Sequence, residues 1–301
     1  MKSRIIAVAL LLLLFSDVLM ADTAYQPFVL ASVNDSALEE QVKATVDALE
    51  AGGFTIAGQY SPVDGSVVIV ATNETLKKAA AATDRGGYAA GQRISVTERD
   101  GKTEVAFINP LYIQYAYRLD ADLLSVLDSL GNALGNQESY GAEKEMTAKK
   151  LGKYNYMMGM QKFDDPSELG SFNSFEDAVA AVEAGLAREG DALSQVYRID
   201  IPGKDQAVFG VGMKATSSDE DEKDIDAAFQ MSIVDFEGHA KVAYFPYEIL
   251  VNGTDVEALH MRFRMAVHFP DLSMMGAHGF TKLMSSPGAT EDALEGMLKP
   301  R

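Results

Sequence analysis

Residues 38–53 read LEEQVKATVDALEAGG, and residues 175–190 read FEDAVAAVEAGLAREG. Laid side by side, Leu38 meets Phe175, Val42 meets Val179, Leu49 meets Leu186 and Gly53 meets Gly190. Leu38, Val42 and Leu49 fall on one helical face, Ser36 and Glu39 have capping-box spacing, and each glycine is placed to stop its helix in a left-handed turn. The pair predicts one supersecondary unit used twice, a pattern that decides the fold before any single element does.

Working outward, Gln26 to Val33 reads as a strand before the first helix, and Lys153 to Met160 as its counterpart before the second. After the helices, Tyr60 pairs with Tyr197, and the strand Gly65 to Val70 pairs with Gln206 to Val211. Inserts follow at 74–90 and 215–229. Arg93 to Arg99 ends in the turn Asp100-Gly101, and Met231 to Phe236 ends in Glu237-Gly238, both hairpin signals. The return strands hold Val105 to Phe107 and Val242 to Tyr244, with Pro110 and Pro246 close behind. An insertion at 247–258 is expected to form its own hairpin at Asn252-Gly253.

Alternation continues through Ile113, Tyr115 and Tyr117, and through Met261, Phe263, Met265, Val267 and Phe269, so both stretches read as strands. Helical sequence at 121–134 and 291–298 closes the halves. The expected fold class is α+β: two repeated strand-helix-four-strand-helix units, antiparallel sheets with helices on one face. The expected boundaries are 1–21, 22–135, 136–152 as a linker, and 153–301.

This order, with the strand ending Ala71-Thr72-Asn73, the Asp100-Gly101 turn and Asn109-Pro110, resembles the domain-of-unknown-function 302 family. It covers most of 26–135 and, in more diverged form, 153–298. The resemblance implies a TATA-binding-protein-like unit and no particular activity. Where many members place Cys-Asn-Pro, this chain has Thr72-Asn73-Glu74, so chemistry tied to that cysteine is lost.

The chain has 301 residues, 47% hydrophobic and 23% charged, enough for roughly two domains with cores of their own. It has no cysteine, which excludes disulfides, thiol nucleophiles and Cys-ligated metal centres. A net charge of -18 argues against nucleic acid and anionic membrane surfaces as partners. Lys2, Arg4, the apolar run Ile5 to Phe15 and the Ala21 border read as a signal peptide cleaved before Asp22. The mature protein is then expected in a periplasm or outside the cell, with no membrane insertion after cleavage.

His239, His260, His268 and His278 form no HExxH and no helical i, i+4 ligand pair in this reading. On a strand, His260, Arg262, Arg264 and His268 share the face opposite Met261, Phe263 and Met265, and could receive an anion. Tyr112, Tyr115 and Tyr117 offer flat surfaces with polar tips for a groove. The candidate ligand-binding residues are therefore Tyr112, Tyr115, Tyr117, His260, Arg262 and Arg264, with Arg262 and Arg264 exposed and no catalytic or metal residue named. The expected function is an exported, non-enzymatic binding or accessory protein for a small apolar or anionic ligand or a protein partner, its cofactor unknown. The alternatives are an enzyme acting on a small anionic substrate and a Cu(I)-handling protein using Met157, Met158, Met160, Met261, Met265, Met274, Met275 and His278.

Overall fold

The computed structural model describes residues 23–188 and 190–299. The expected signal peptide lies outside the described residues. The first half runs β1 (Phe28–Asn34), α1 (Leu38–Ala51), β2 (Thr55–Tyr60), β3 (Ser66–Thr72), α2 (Glu74–Ala82), β4 (Gln92–Arg99), β5 (Lys102–Ile108), α3 (Pro110–Ala116) and α4 (Leu124–Leu134). Residues 136–152, expected as a linker, contain β6 (Glu138–Tyr140) and α5 (Ala148–Leu151). The second half runs β7 (Ser167–Ser171), α6 (Phe175–Leu186), β8 (Leu193–Asp200), β9 (Gln206–Met213), α7 (Glu220–Ile225), α8 (Ala227–Val234), β10 (Tyr247–Asn252), β11 (Asp255–Ala258), α9 (Met261–His268) and α10 (Ser286–Met297). Among the described residues the protein is thus mixed α+β, with two antiparallel sheets and ten α-helices.

The sheet orders are β2-β3-β4-β5-β1-β6 and β8-β9-β10-β11-β7, the same sequence of strands apart from the added β6. Irregularities repeat as well. β2 carries an extra residue at Ala57 and β8 at Val196, while β1 carries one at Ala31 and β7 at Leu169. A bulge adds one residue against the partner strand, so matched bulges fix the correspondence independently of side-chain type. Gly58 then corresponds to Tyr197, which moves the expected Tyr60–Tyr197 match by two residues. Gly53 (φ 83°) and Gly190 (φ 79°) both take the left-handed conformation expected of them.

Three sequence expectations for the second half are corrected. Lys153 to Met160 forms no strand; the counterpart of β1 is β7, nearer the helix. Met231 to Phe236 belongs largely to α8, where Asp226 caps the first turn by accepting from the Phe229 amide, and Gln230, Met231 and Val234 are buried at helical spacing. The counterpart of the β4–β5 hairpin is therefore β10–β11 in the presumed insertion. Its turn residues are Gly253-Thr254, since Asn252 pairs with Asp255, and Gly253 (φ 63°) supplies the left-handed first position.

Burial also departs from a one-sided sheet. Val68, Ile69, Val70 and Ala71 are buried in succession, as is every residue of β9, so both faces of these strands are covered. Helices α1 and α4 pack on the first sheet, and α6 and α10 on the second. The other half supplies further cover: a short 3₁₀ turn at Gly86–Ala89 packs on β9 and β10, and another at Val242–Tyr244 packs on β3, β4 and β5. The two halves share one continuous core. Where the bulged strands β2 and β8 meet, a Cβ on Gly58 would lie 2.2 Å from the Val196 carbonyl oxygen, so only glycine permits the approach.

Candidate functional site

The six sequence-selected residues do not share one surface. Ile113, Tyr115 and Tyr117 were read as strand, but Asn109 accepts from the Leu111 amide and Pro110 occupies the first turn, so α3 begins there. Residues 261–268 form the helix α9, because His260 Nδ1 caps it by accepting from the Arg262 amide. His260 is thereby a helix cap; burial lowers its pKa. Tyr112 is fully buried and donates to the Val267 carbonyl at 2.6 Å, joining α3 to α9. Tyr115 is half-buried beside Tyr25.

Arg262 reaches the rim of a small dent of about 20 Å³, lined also by Tyr156, Met160, Met265 and Phe280. Arg264, expected on the surface, is fully buried. A helix turns successive residues by far less than a strand does, so Arg264 leaves Arg262's side and enters the contact between the halves. Met261, Phe263 and Met265 are buried as expected, but on a helix covered on nearly every side and not on one strand face.

Around Arg264 lies a polar cluster that sequence reading did not assemble. Arg93 of β4 donates to Glu248 Oε2 of β10 at 2.9 Å, and Tyr197 of β8 donates to Glu248 Oε1 at 2.8 Å. His268 Nδ1 lies 2.8 Å from the Arg264 carbonyl oxygen, one turn back on α9, so Nδ1 carries the proton and Nε2 accepts from Arg93 at 3.1 Å. Burial, reinforced by the Arg93 and Arg264 charges, holds His268 well below its ordinary pKa, so the ring is neutral. For Arg264, burial works against the charge, but Tyr244 and Glu248 outweigh it and the pKa is raised. One guanidinium nitrogen of Arg264 donates to the Tyr244 and Pro246 carbonyls at 2.6 and 2.7 Å. Its carbon stands 4.2 Å from the Tyr244 ring centroid and 4.8 Å from that of Tyr247.

A larger open site lies elsewhere on the contact between the halves. A cleft of about 710 Å³ is bounded by β6, by residues 234–241 and by residues 269–278. Its apolar wall includes Val234, Phe236, Phe269, Leu272 and Met275. His278 stacks on Phe236 with ring centroids 3.9 Å apart. His239 bridges two carboxylates, Nδ1 to Glu104 of β5 at 2.7 Å and Nε2 to Glu138 of β6 at 2.8 Å, and meets Tyr140 edge to face. Tyr140 donates to the Ala240 carbonyl, fixing that wall.

Charges in the cleft are unevenly paired. Lys241 is held near Asp235 at 4.0 Å and donates to the Glu237 carbonyl, while burial lowers its pKa. Burial raises that of Asp235, with Arg99 opposing. Asp271 faces Lys144 at 3.8 Å. Glu143 and Glu237 also line the cleft, with no ion pair among those found for the described residues. Phe269 and Leu272 line both this cleft and the Arg262 dent, so the two are neighbours.

Of the methionines considered for copper, Met275 lines the cleft with His278, whereas Met160 lines the dent and Met158 is fully exposed on a separate loop. No group of three His, Cys, Asp or Glu placed to hold a metal occurs among the described residues. No helix among them is long and apolar enough to cross a membrane. Comparison with protein-family models, curated proteins and solved structures gives no match.

Proposed function

We propose that this is an exported binding protein that holds a small, largely apolar ligand in the cleft between Tyr140, Phe236, Phe269, Met275 and His278. The observation that carries the reading is the cleft itself: about 710 Å³ falls within the range of small-molecule sites, and its wall combines aromatic and thioether surface with a few convergent polar groups. Phe236 and Met275 are 48% and 76% exposed, apolar area that a bound ligand would remove from water. The anionic ligand considered from sequence loses support at this place, since Arg264 is buried elsewhere and Glu143, Glu237 and Asp271 outnumber Lys241 among the charged lining residues. A polar end that is neutral or cationic fits better.

In this reading the repeated unit is a tandem pair of the domain-of-unknown-function 302 type. The equal strand orders and matched bulges support the repetition, and the family resemblance adds no activity. An enzymatic reading has one observation in its favour, His239 set between Glu104 and Glu138 beside the cleft, where an imidazole could exchange a proton with a bound molecule.

Native mass spectrometry of gently purified protein tests the proposal. The expected result is a co-purifying small molecule that is lost from Phe236→Ala and Met275→Ala, both of which leave the fold intact because the side chains are largely exposed. Wild-type protein carrying nothing, or variants retaining the same molecule, would remove the cleft from consideration.

A further inference from the structure

The buried cluster around Arg264 has an unbalanced charge. Arg93 and Arg264 are cations, Glu248 is the one carboxylate bonded within it, and His268 is neutral by the proton placement that its two contacts require. Burial raises the pKa of the surrounding phenols Tyr117, Tyr197, Tyr244 and Tyr247, so none supplies a second negative charge near neutrality. The next carboxylate to influence the group is Glu291 of α10, which acts on Tyr247 and His260 from a half-buried position. One buried positive charge is left over, a condition proteins seldom leave without a counter-charge.

Donors are left over as well. Among the described residues, Arg264 Nε and Nη1 and the hydroxyls of Tyr117 and Tyr244 are buried without a partner at good hydrogen-bond geometry; the Tyr117 oxygen leans on Arg93 and the Tyr244 oxygen on Arg264, which leaves both hydroxyl protons to be donated. These groups are electrostatic neighbours: Arg264 acts on both phenols, and Tyr244 lies against its guanidinium face. A guanidinium edge and two hydroxyls can all donate to a single acceptor. Water could satisfy the donors but would leave the charge uncompensated. A small anion does both.

We infer that the Nε–Nη1 edge of Arg264, with the Tyr117 and Tyr244 hydroxyls, binds one small monovalent anion of halide type in the contact between the two halves. The site is separate from the surface cleft and does not depend on its reading. Its elements come from both halves, Tyr117 standing at the C-terminal end of α3, and α9 and the 244–247 segment carrying the rest, so the anion would join them.

Bromide is the probe. Crystals of the full chain grown in bromide are expected to show an anomalous peak within hydrogen-bond distance of Arg264 and both hydroxyls, and replacing chloride by gluconate at fixed ionic strength should lower the melting temperature by several degrees. Tyr117→Phe removes one donor without removing the ring; it should fold and lose most of the halide dependence. Arg264→Gln should lose all of it, and if that variant fails to fold, Tyr117→Phe decides alone. A water without anomalous signal at this position, or an unchanged halide response in folded Tyr117→Phe, would overturn the assignment.

Discussion

Arg93 and Glu248 occupy equivalent rungs of the two sheets and are bonded to each other at 2.9 Å. Arg93 lies opposite Val70, and Glu248 opposite Gly210; Val70 and Gly210 lie opposite the matched residues Gly58 and Tyr197, each following its bulge. Two equivalent rungs that face each other would meet like charges if both carried the same ionised residue. Opposite charges here let the two strands bond across the contact, where like charges would repel.

Loss of Glu248 should be the more damaging change in this pair. Glu248→Gln leaves Arg93 and Arg264 buried without a carboxylate, and is expected to cost about 3 to 5 kcal/mol. Arg93→Met leaves Glu248 with Arg264 at 3.7 Å and Tyr197 at 2.8 Å, and should cost less. Urea unfolding of the single variants and the double variant measures this; equal costs that add would show the pair to be uncoupled.

His268 sets an acid limit. Its folded pKa lies below the unfolded value, so below about pH 6.5 the unfolded chain binds the proton that the folded protein refuses. The stability contributed by the neutral ring is complete above that pH and falls as pH drops toward the folded pKa, with a slope of at most about 1.4 kcal/mol per pH unit. Denaturation curves from pH 7.5 downward should show this slope, and His268→Gln, which cannot take the charge, should flatten it. His260, whose pKa is also lowered by burial, contributes with the same sign. An unchanged slope in His268→Gln would place the acid sensitivity elsewhere.

The parts legible in sequence were those specified locally. The faces of α1 and α6, the stops at Gly53 and Gly190, and the Asp100-Gly101 turn depend on neighbours within a few residues. Residues 261–268 were not legible as a helix from periodicity, because Arg264 and His268 are buried with the apolar residues, so polar and apolar positions alternate as on a strand instead of separating onto two helix faces. A signal was present in the preceding half, where Asn109-Pro110 marks a helix start at the equivalent place. Matching the turn at Gly253-Thr254 with that at Asp100-Gly101 would have aligned the hairpins. The Arg93, Glu248, Arg264 and His268 cluster could not be read, since it depends on how two complete halves face each other.

Phe263 and Arg262 are adjacent on α9 and should respond oppositely. Phe263 is 2% exposed and packs near Tyr117, Tyr154 and Phe163, so Phe263→Ala is expected to cost about 3 to 5 kcal/mol. Arg262 is half-buried with no ion pair found among the described residues, and Arg262→Ala should stay within about 0.5 kcal/mol. Chemical denaturation compares them directly, and a silent Phe263→Ala would mean that this helix does not anchor the core.

The three glycines at the repeat landmarks separate backbone conformation from packing. Gly53 and Gly190 share positive φ, and an added Cβ at either meets nothing within 4 Å, so Gly53→Ala and Gly190→Ala should cost about 1 to 2 kcal/mol each for conformation alone. Gly58 is the opposite case: its backbone is ordinary, but a Cβ would press into the Val196 carbonyl across the β2–β8 contact. Gly58→Ala therefore has to move one bulged strand away from the other, disturbing the Tyr60 hydroxyl that donates to the Met213 carbonyl and accepts from its amide at 2.9 and 2.8 Å. The expected outcome is a larger loss of stability than at Gly53, together with faster amide exchange along β2 and β8. Equal costs for Gly58→Ala and Gly53→Ala, with exchange in those strands unchanged, would show that the two halves do not meet along β2 and β8 in solution.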